Sequence, residues 1–590
     1  MSTEVTTGNP NPLYGSDHLA LLLREMGVGH VFINPGSSFR GLHDSLVNFT
    51  GNHDPEIVLT THEMIAVAMA HGYAKATGGL GVSVLHNLVG LLNGSMSVFN
   101  AFCDQTPLLI LGGSGPADPV ERRFIDWAHT ANTQGDIVRQ YVKWVDEPAT
   151  LDASFNSILE ARRRSLTAPC GPTYVSIDAG HQEHEAPDAV LPSPGLACYQ
   201  PALPSAPSPD AVERICHALL NARMPLIFGG RFGIDPAATA PLARLVELLG
   251  AAYQDDRNIT CMPTLHQQNL NGDRTIRSEA DVILALDCQD VTAITKGYGL
   301  SRSAILNGGA GTNETMIIDI SLNDYFGGSW SRFGGPTPPT DIKVNADALL
   351  SIRMIADRLE TMLDDGARKR IADRVSILRT RQQAIHETRL ANAKARWNDS
   401  PITLARLTHE LYEAVKDEDW LLAVRNHRSW QEGLWPHPGS GRYLGGDGGG
   451  GVGYGPGATA GAALALKDSG KLVVGLIGDG DFLMAPGAIW SAAAHRAPML
   501  LVIANNSTWG NDELHQREVA EQRGRPLENA HVGQRMADPS IDIAGVARSM
   551  GAFAPGPVTD PAKLSLAFAE AIEAVRAGKV AVVEVITALD

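Results

Sequence analysis

The chain has 590 residues, 65 of them acidic and 48 basic, for a formal charge of −17. A content of 44% hydrophobic and 19% charged residues excludes wholesale disorder, and the acidic balance gives no attraction to nucleic acid or to an anionic membrane. No run approaches the roughly 18 apolar residues that span a bilayer. The opening MSTEVTTGNPNP has no basic n-region and no apolar h-region. The six cysteines are scattered and none forms a CxxC pair, so a reduced, cytoplasmic protein is expected.

In chain order, residues 19–26 read as a helix and 31–34 as the strand after it, followed by Asn34-Pro35-Gly36-Ser37. Residues 57–60 form a second strand. The next helix opens at Glu63 and runs through small and apolar residues to a glycine stop. Thr60-x-x-Glu63 fits a capping box, and a first-turn glutamate suits the helix dipole. The local reading of Glu63 is therefore a helix cap. His86 follows another apolar run, where a lone histidine is ordinarily a satisfied core residue. Arg162, Arg163 and Arg164 read as a solvated helix face.

The proline-rich stretch near 182–209 has no periodic apolar face and reads as an extended linker. Residues 210–360 repeat the α/β pattern, with PLIFGG, DVILAL and MIIDI as strands. Gly229-Gly230-Arg231 lacks a full GxGxxG and reads as a tight strand turn. Residues 356–399 form one charged helical stretch leading to the C-terminal segment. The division expected is 1–185, a linker at 186–209, a middle domain at 210–360, a helical connector at 361–399, and 400–590. Short apolar strands alternating with helices make this an α/β protein, three domains with parallel sheets flanked by helices.

The most informative stretch is LVVGLIGDGDFLMAPGAIWSAAAHRAPMLLVIANNSTWG, residues 472–510. A buried strand stops at Gly478-Asp479-Gly480, a helix follows, and a second strand ends at Asn505-Asn506. In a parallel sheet both ends lie at one edge, where ligands bind. A carboxylate (Asp479), a side-chain amide (Asn506) and a backbone carbonyl (Thr508) are hard oxygen ligands suited to Mg²⁺ or Ca²⁺ against a diphosphate. A glycine turn and a helix cap would explain each element alone, but not their placement at two successive strand ends.

GDG, about two dozen residues, then NN resembles the motif of thiamine diphosphate enzymes of the acetolactate synthase and benzoylformate decarboxylase family. The resemblance covers nearly the whole chain, as pyrimidine-binding, middle and diphosphate-binding domains. It implies thiamine diphosphate and Mg²⁺ as cofactors, with Asp479, Asn506 and the Thr508 carbonyl as metal ligands. Gly478, Gly480, Asp481, Trp509 and Gly510 would surround the diphosphate. Gly451-Val452-Gly453-Tyr454-Gly455 resembles the segment that bends the cofactor, with Val452 beneath it and the Gly451 carbonyl accepting from its aminopyrimidine. Asn426 and His427, in VRNH, resemble the acetolactate synthase segment that reaches the diphosphate. In some relatives the middle domain binds FAD or ADP; FAD is not expected here, although the sequence leaves it open.

The same resemblance gives Glu63 the role of the glutamate beside pyrimidine N1′, which activates the cofactor. Asn34-Pro35-Gly36-Ser37 and Leu85-His86-Asn87 are similar to benzoylformate decarboxylase. They imply that Ser37 faces the substrate and that His86 exchanges a proton with it. That enzyme's second histidine has no counterpart in LALDCQDVTAITKGYG, and His266 matches a different, structural segment. Arg40, His43, Trp509, Asn511 and His515 are further candidates for the pocket.

The function implied is cleavage or formation of a carbon–carbon bond beside a carbonyl, on a 2-oxo acid, by decarboxylation or carboligation. A diketone-cleaving hydrolase or lyase, or a cofactor-binding chain without turnover, are the alternatives. The expected partners are a small-molecule substrate and a second copy of the chain, since the family sets its glutamate across a subunit boundary from the diphosphate. A homodimer is the minimal active unit and a homotetramer the expected form, with no nucleic acid and no membrane.

Overall fold

A computed structural model describes residues 11–192, 198–256, 259–296, 315–326, 340–425, 432–446 and 448–589. They form two compact units, because the first and third segments pack together. One unit comprises the described residues up to 203, 418–425 and 448–589; the other comprises those from 204 to 417 and 432–446. No helix of the described residues is long and apolar enough to cross a membrane.

The first sheet has six parallel strands: β1 His30–Ile33, β2 Glu56–Leu59, β3 Gly81–Leu85, β4 Leu108–Ser114, β5 Trp144–Asp146 and β6 Thr173–Asp178. Their order is β2-β1-β3-β4-β6-β5. The helices that matter are α1 Gly15–Glu25, α2 Glu63–Thr77, α3 Asn87–Cys103, α4 Phe124–His129 and α5 Leu151–Leu166. On one face, Leu19, Leu22 and Leu23 of α1 and Phe155 and Ile158 of α5 pack on Val31, Val84, Leu111 and Val175. Strands covered on both faces need no polar alternation, so β3 is buried from end to end.

The second unit holds β7 Pro225–Gly229, β8 Ala252–Asp255, β9 Val282–Leu286, β10 Met316–Ser321 and β11 Ile342–Asn345, parallel and ordered β11-β10-β9-β7-β8. It also holds α6 Pro209–Asn221, α7 Thr239–Leu249, α8 Ala348–Met362 and α9 Asp365–Ala395. The single charged helical stretch expected over 356–399 is two helices. Asp364 ends the first stretch by accepting the Ala367 N–H and capping α9. Of α9's 31 residues only Ala367, Leu378 and Ala393 are buried, which accounts for its charge.

The C-terminal sheet of the first unit is β12 Trp420–Val424, β13 Leu472–Gly478, β14 Leu500–Asn505 and β15 Ala581–Ile586, parallel and in that order. Its helices include α10 Tyr454–Leu466, α11 Asp479–Met484 and α12 Gly510–Gln522. The expected turn at 478–481 is the first turn of α11, entered directly from β13.

Helices α2 and α10 join the two sheets' regions into one unit. A Cβ on Gly72 would lie 2.0 Å from the Ala458 carbonyl oxygen, and one on Gly461 would lie 1.9 Å from that of Met69. Only glycine lets these backbones approach so closely. Gly453 lies against Met64 and Gly457 against Ala68, so the two N-termini sit together. A buried polar cluster crosses the same contact: Lys75 Nζ pairs with Asp104 and donates to Tyr454 Oη at 3.3 Å.

Candidate active site

The segment from β2 to α2 turns Glu63 inward. Thr60 Oγ1 donates to the Ile33 carbonyl at 3.1 Å and does not cap α2 by accepting from its amides. His62 takes the cap position, its Nδ1 accepting the Met64 N–H at 3.0 Å. The capping box read from Thr60 and Glu63 is therefore not made. Glu63 is 6% exposed. Its Oε1 accepts from Asn34 Nδ2 at 2.9 Å, and its Oε2 from Asn93 Nδ2 at 3.2 Å. Asn34 comes from the end of β1 and Asn93 from α3, so three elements fix one carboxylate.

Beside it lies His86, at the cap of α3. Gly90 packs between them: a Cβ there would be 3.4 Å from both Glu63 Oε1 and His86 Cβ. Gly36 has no room for a side chain because the His86 side chain fills the space, its Cβ 2.2 Å and its ring Cγ 2.4 Å from where a Gly36 Cβ would lie. The Nδ1 of His86 faces Ser38 Oγ at 2.9 Å and its Nε2 faces His129 Nδ1 at 3.1 Å. Burial, then the neighbouring His129, hold His86 below the usual imidazole pKa. Ser37 is half-buried, and its carbonyl accepts from Arg123 at 3.3 Å. The serine that touches His86 is Ser38, not Ser37.

At the C-terminal sheet, Gly478 of β13 pairs in register with Ala504 of β14, so both strand ends share one edge. Asp479 is 3% exposed, and its Oδ2 has no hydrogen-bond partner among the described residues. Burial raises its pKa to about 6, partly offset by the backbone N–H groups of Gly480, Ser507 and Thr508 that face it. Asn506 Oδ1 accepts the Thr508 N–H at 3.1 Å. The Thr508 carbonyl accepts the Gly510 N–H at 2.8 Å, and Thr508 Oγ1 donates to Glu513 at 2.8 Å. The first asparagine of the pair, Asn505, is structural: its Nδ2 donates to Glu584 at 2.7 Å. An orphaned buried carboxylate oxygen beside an amide oxygen and a carbonyl fits a hard divalent cation.

Gly480 has no room for a side chain because the Trp509 ring lies 2.6 Å from where a Cβ would sit, and a Cβ on Gly510 would lie 2.9 Å from Asn506 Nδ2. Asp481 turns into the protein, where its Oδ1 accepts the Gly453 N–H. That bond ties the 478–481 turn to the segment carrying Gly451 and Val452. Gly451 is clasped by Asn100, whose Oδ1 accepts its N–H at 3.2 Å and whose Nδ2 donates to its carbonyl at 3.3 Å. Val452 is 39% exposed. Asn426 and His427 lie outside the described residues.

Of the other pocket candidates, Arg40 is held by Glu183 through two hydrogen bonds of 2.6 Å, and His43, Asn511 and His515 are exposed. His266 faces Glu247 at 3.1 Å. Sequence reasoning missed Ser38 and His129. Ser38 is the neighbour of Ser37, and no local signal separates the two. No local signal marks His129, which lies 43 residues from its partner.

Residues 13–136 match the thiamine pyrophosphate enzyme N-terminal TPP binding domain, and residues 424–585 match the C-terminal TPP binding domain. The mitochondrial acetolactate synthase catalytic subunit of Aspergillus candidus is 26% identical over 589 residues, 88% of this chain and 76% of that protein. Benzoylformate decarboxylase of Pseudomonas aeruginosa is 25% identical over 506 residues, 83% of this chain and 85% of that protein. Among solved structures, a thiamine diphosphate-dependent 4-hydroxybenzoylformate decarboxylase of Rhodococcus jostii RHA1 superposes with a TM-score of 0.75 at 21% identity. It covers 98% of this chain and 99% of that one, a likeness of fold.

Proposed function

The chain belongs to the thiamine pyrophosphate enzymes, of acetolactate synthase and benzoylformate decarboxylase type, and from that premise we propose that it breaks or forms a carbon–carbon bond beside the carbonyl of a 2-oxo acid. The observation that carries the reading is Glu63, a buried carboxylate fixed by Asn34 and Asn93 on the helix that packs along α10. Bound thiamine diphosphate supplies an electron sink at the carbonyl carbon.

In this reading Glu63 holds and moves a proton at pyrimidine N1′, and its two amide donors keep the carboxylate aimed. Asp479, Asn506 and the Thr508 carbonyl would hold Mg²⁺ against the diphosphate, with Gly478 leaving open space for it and Gly480 and Gly510 making room for Trp509 and Asn506. Asn426 and His427 would reach the same group. Gly451 and Val452 would flank the pyrimidine, and Asp481 holds their loop in place. His86 stands beside Glu63 on the substrate side, and Ser37 at its rim. The working form is a homodimer or homotetramer. Six free cysteines fit a reducing compartment, the cytoplasm.

The test is a screen of purified protein with thiamine diphosphate and Mg²⁺ against pyruvate, branched 2-oxo acids and benzoylformate, with and without an acceptor aldehyde. Released CO₂ and product mass are measured. Aldehyde with CO₂ identifies a decarboxylase, and a hydroxyketone identifies a carboligase. Turnover of none of these acids overturns the proposal.

A further inference from the structure

Both ring nitrogens of His86 are engaged within the chain, and their partners set a direction. The Ser38 backbone N–H points at Nδ1 from 3.4 Å. A backbone amide can only donate, so Nδ1 is the unprotonated nitrogen. Ser38 Oγ accepts the Asn87 N–H at 3.1 Å, which leaves its own hydrogen for Nδ1, 2.9 Å away. Neutral His86 then carries its proton on Nε2, 3.1 Å from His129 Nδ1. His129 accepts there and carries its own proton on Nε2. The rings meet edge to face, with centroids 5.2 Å apart at 74°. His129 is half-buried, and no hydrogen bond among the described residues takes up its Nε2–H.

We infer that Ser38, His86 and His129 form one directed hydrogen-bond chain, and that its terminal group, His129 Nε2–H, is the neutral donor this site presents to an oxygen of a carbonyl or carboxylate substrate. The inference rests on the proposed 2-oxo acid chemistry, which supplies that oxygen. Gly90 places the chain beside Glu63. The groups facing His86 are Glu63 and Asp126, which favour a proton on it, and Arg123 and His129, which oppose one. Burial is the largest influence and, together with His129 and Arg123, holds the His86 pKa below the usual imidazole value. In the neutral pair the tautomers are fixed, because His86 Nδ1 accepts from Ser38 and His129 Nδ1 accepts from His86. His86 and Ser38 act through His129 and are positioning residues.

The experiment uses the full-length protein labelled with ¹⁵N-histidine, with His86→Asn and His129→Asn assigning the two rings. Long-range ¹H–¹⁵N correlations distinguish the tautomers near neutral pH. Both rings are expected as neutral Nε2–H forms, and Ser38→Ala is expected to mix the His86 tautomers, a change that a merely structural serine would not cause. On the best 2-oxo acid, His129→Phe is expected to lower kcat/KM about 100-fold, as loss of one preorganised donor does, with thermal unfolding unchanged. His129→Asn carries the kinetics should the phenylalanine variant not fold. An Nδ1–H tautomer at His129, or kcat/KM within about twofold of wild type in both variants, overturns the inference. If the unaltered protein turns over no 2-oxo acid, the proposed function fails, and the tautomers alone decide whether the chain is directed as stated.

Discussion

Asn34 Nδ2 donates to Glu63 Oε1 at 2.9 Å, which turns the Glu63 carboxylate away from the amides of its own helix. Asn93 of α3 holds the second oxygen, at 3.2 Å. A buried carboxylate with both oxygens hydrogen-bonded is held in one orientation at little cost. Asn34→Ala and Asn93→Ala each remove one of these bonds. Each is expected to lower kcat about tenfold with KM little changed, and stability by about 1–2 kcal/mol. Glu63→Gln is expected to lose at least about 100-fold. Steady-state kinetics and urea unfolding separate the two effects.

The orphaned oxygen of Asp479 predicts a cofactor-dependent stability. Thiamine diphosphate and Mg²⁺ added together are expected to raise the unfolding temperature, and EDTA to reverse the rise, because ligands that bind only the folded state stabilise it. Asp479→Asn is expected to unfold at or above the temperature of the cofactor-free parent while losing that response. Differential scanning fluorimetry with each component added alone and together checks this.

The α2–α10 contact leaves no room for a methyl group. At Gly461 the obstacle is the Met69 carbonyl, and at Gly72 that of Ala458. Backbone cannot swing aside as a side chain can. Gly461→Ala and Gly72→Ala are each expected to destabilise by about 3 kcal/mol through overpacking. Gly366, in the first turn of α9 with no positive φ and no atom nearer than 3.4 Å to its Cβ position, is the control for a local backbone effect. Chemical unfolding of the three alanine variants ranks them.

Lys75 and Asp104 give a pH dependence. Burial alone would raise the Asp104 pKa, but the Lys75 ammonium and His71 hold it below the usual carboxylate range. A depressed folded-state pKa contributes stability above the unfolded value and loses it as pH falls through the folded one. Stability is therefore expected to drop below about pH 4. Asp104→Asn is expected to cost about 3 kcal/mol at neutral pH, because it leaves a buried ammonium without its counter-ion. The variant should also show a shallower acid limb in urea midpoints measured across pH.

The alternation of short apolar strands with helices was enough to identify parallel α/β architecture, because strands covered on both faces need an unbroken apolar run. The 478–480 turn and the asparagine pair were legible for a similar reason: their spacing is one strand–helix–strand unit, and parallel pairing brings both ends to one edge. These signals are local, and local sequence carries them.

The site itself required distant contacts. Thr60 and Glu63 satisfy the capping pattern, yet Thr60 bonds to Ile33 and Glu63 to Asn34 and Asn93. Nothing within α2 reveals that its first residue faces inward. Ser38, not Ser37, meets His86 because one step along a loop changes which side chain faces the ring, and no periodicity governs that step. The union of the two terminal segments into one unit depends on Gly72 and Gly461 meeting carbonyls nearly 390 residues away. The amino-acid sequence by itself determined the sheets and the strand ends, through hydrophobic period and turn chemistry. Only the tertiary structure decided which polar groups meet there, because the partners of a buried carboxylate or imidazole are chosen by packing across elements that sequence order keeps far apart.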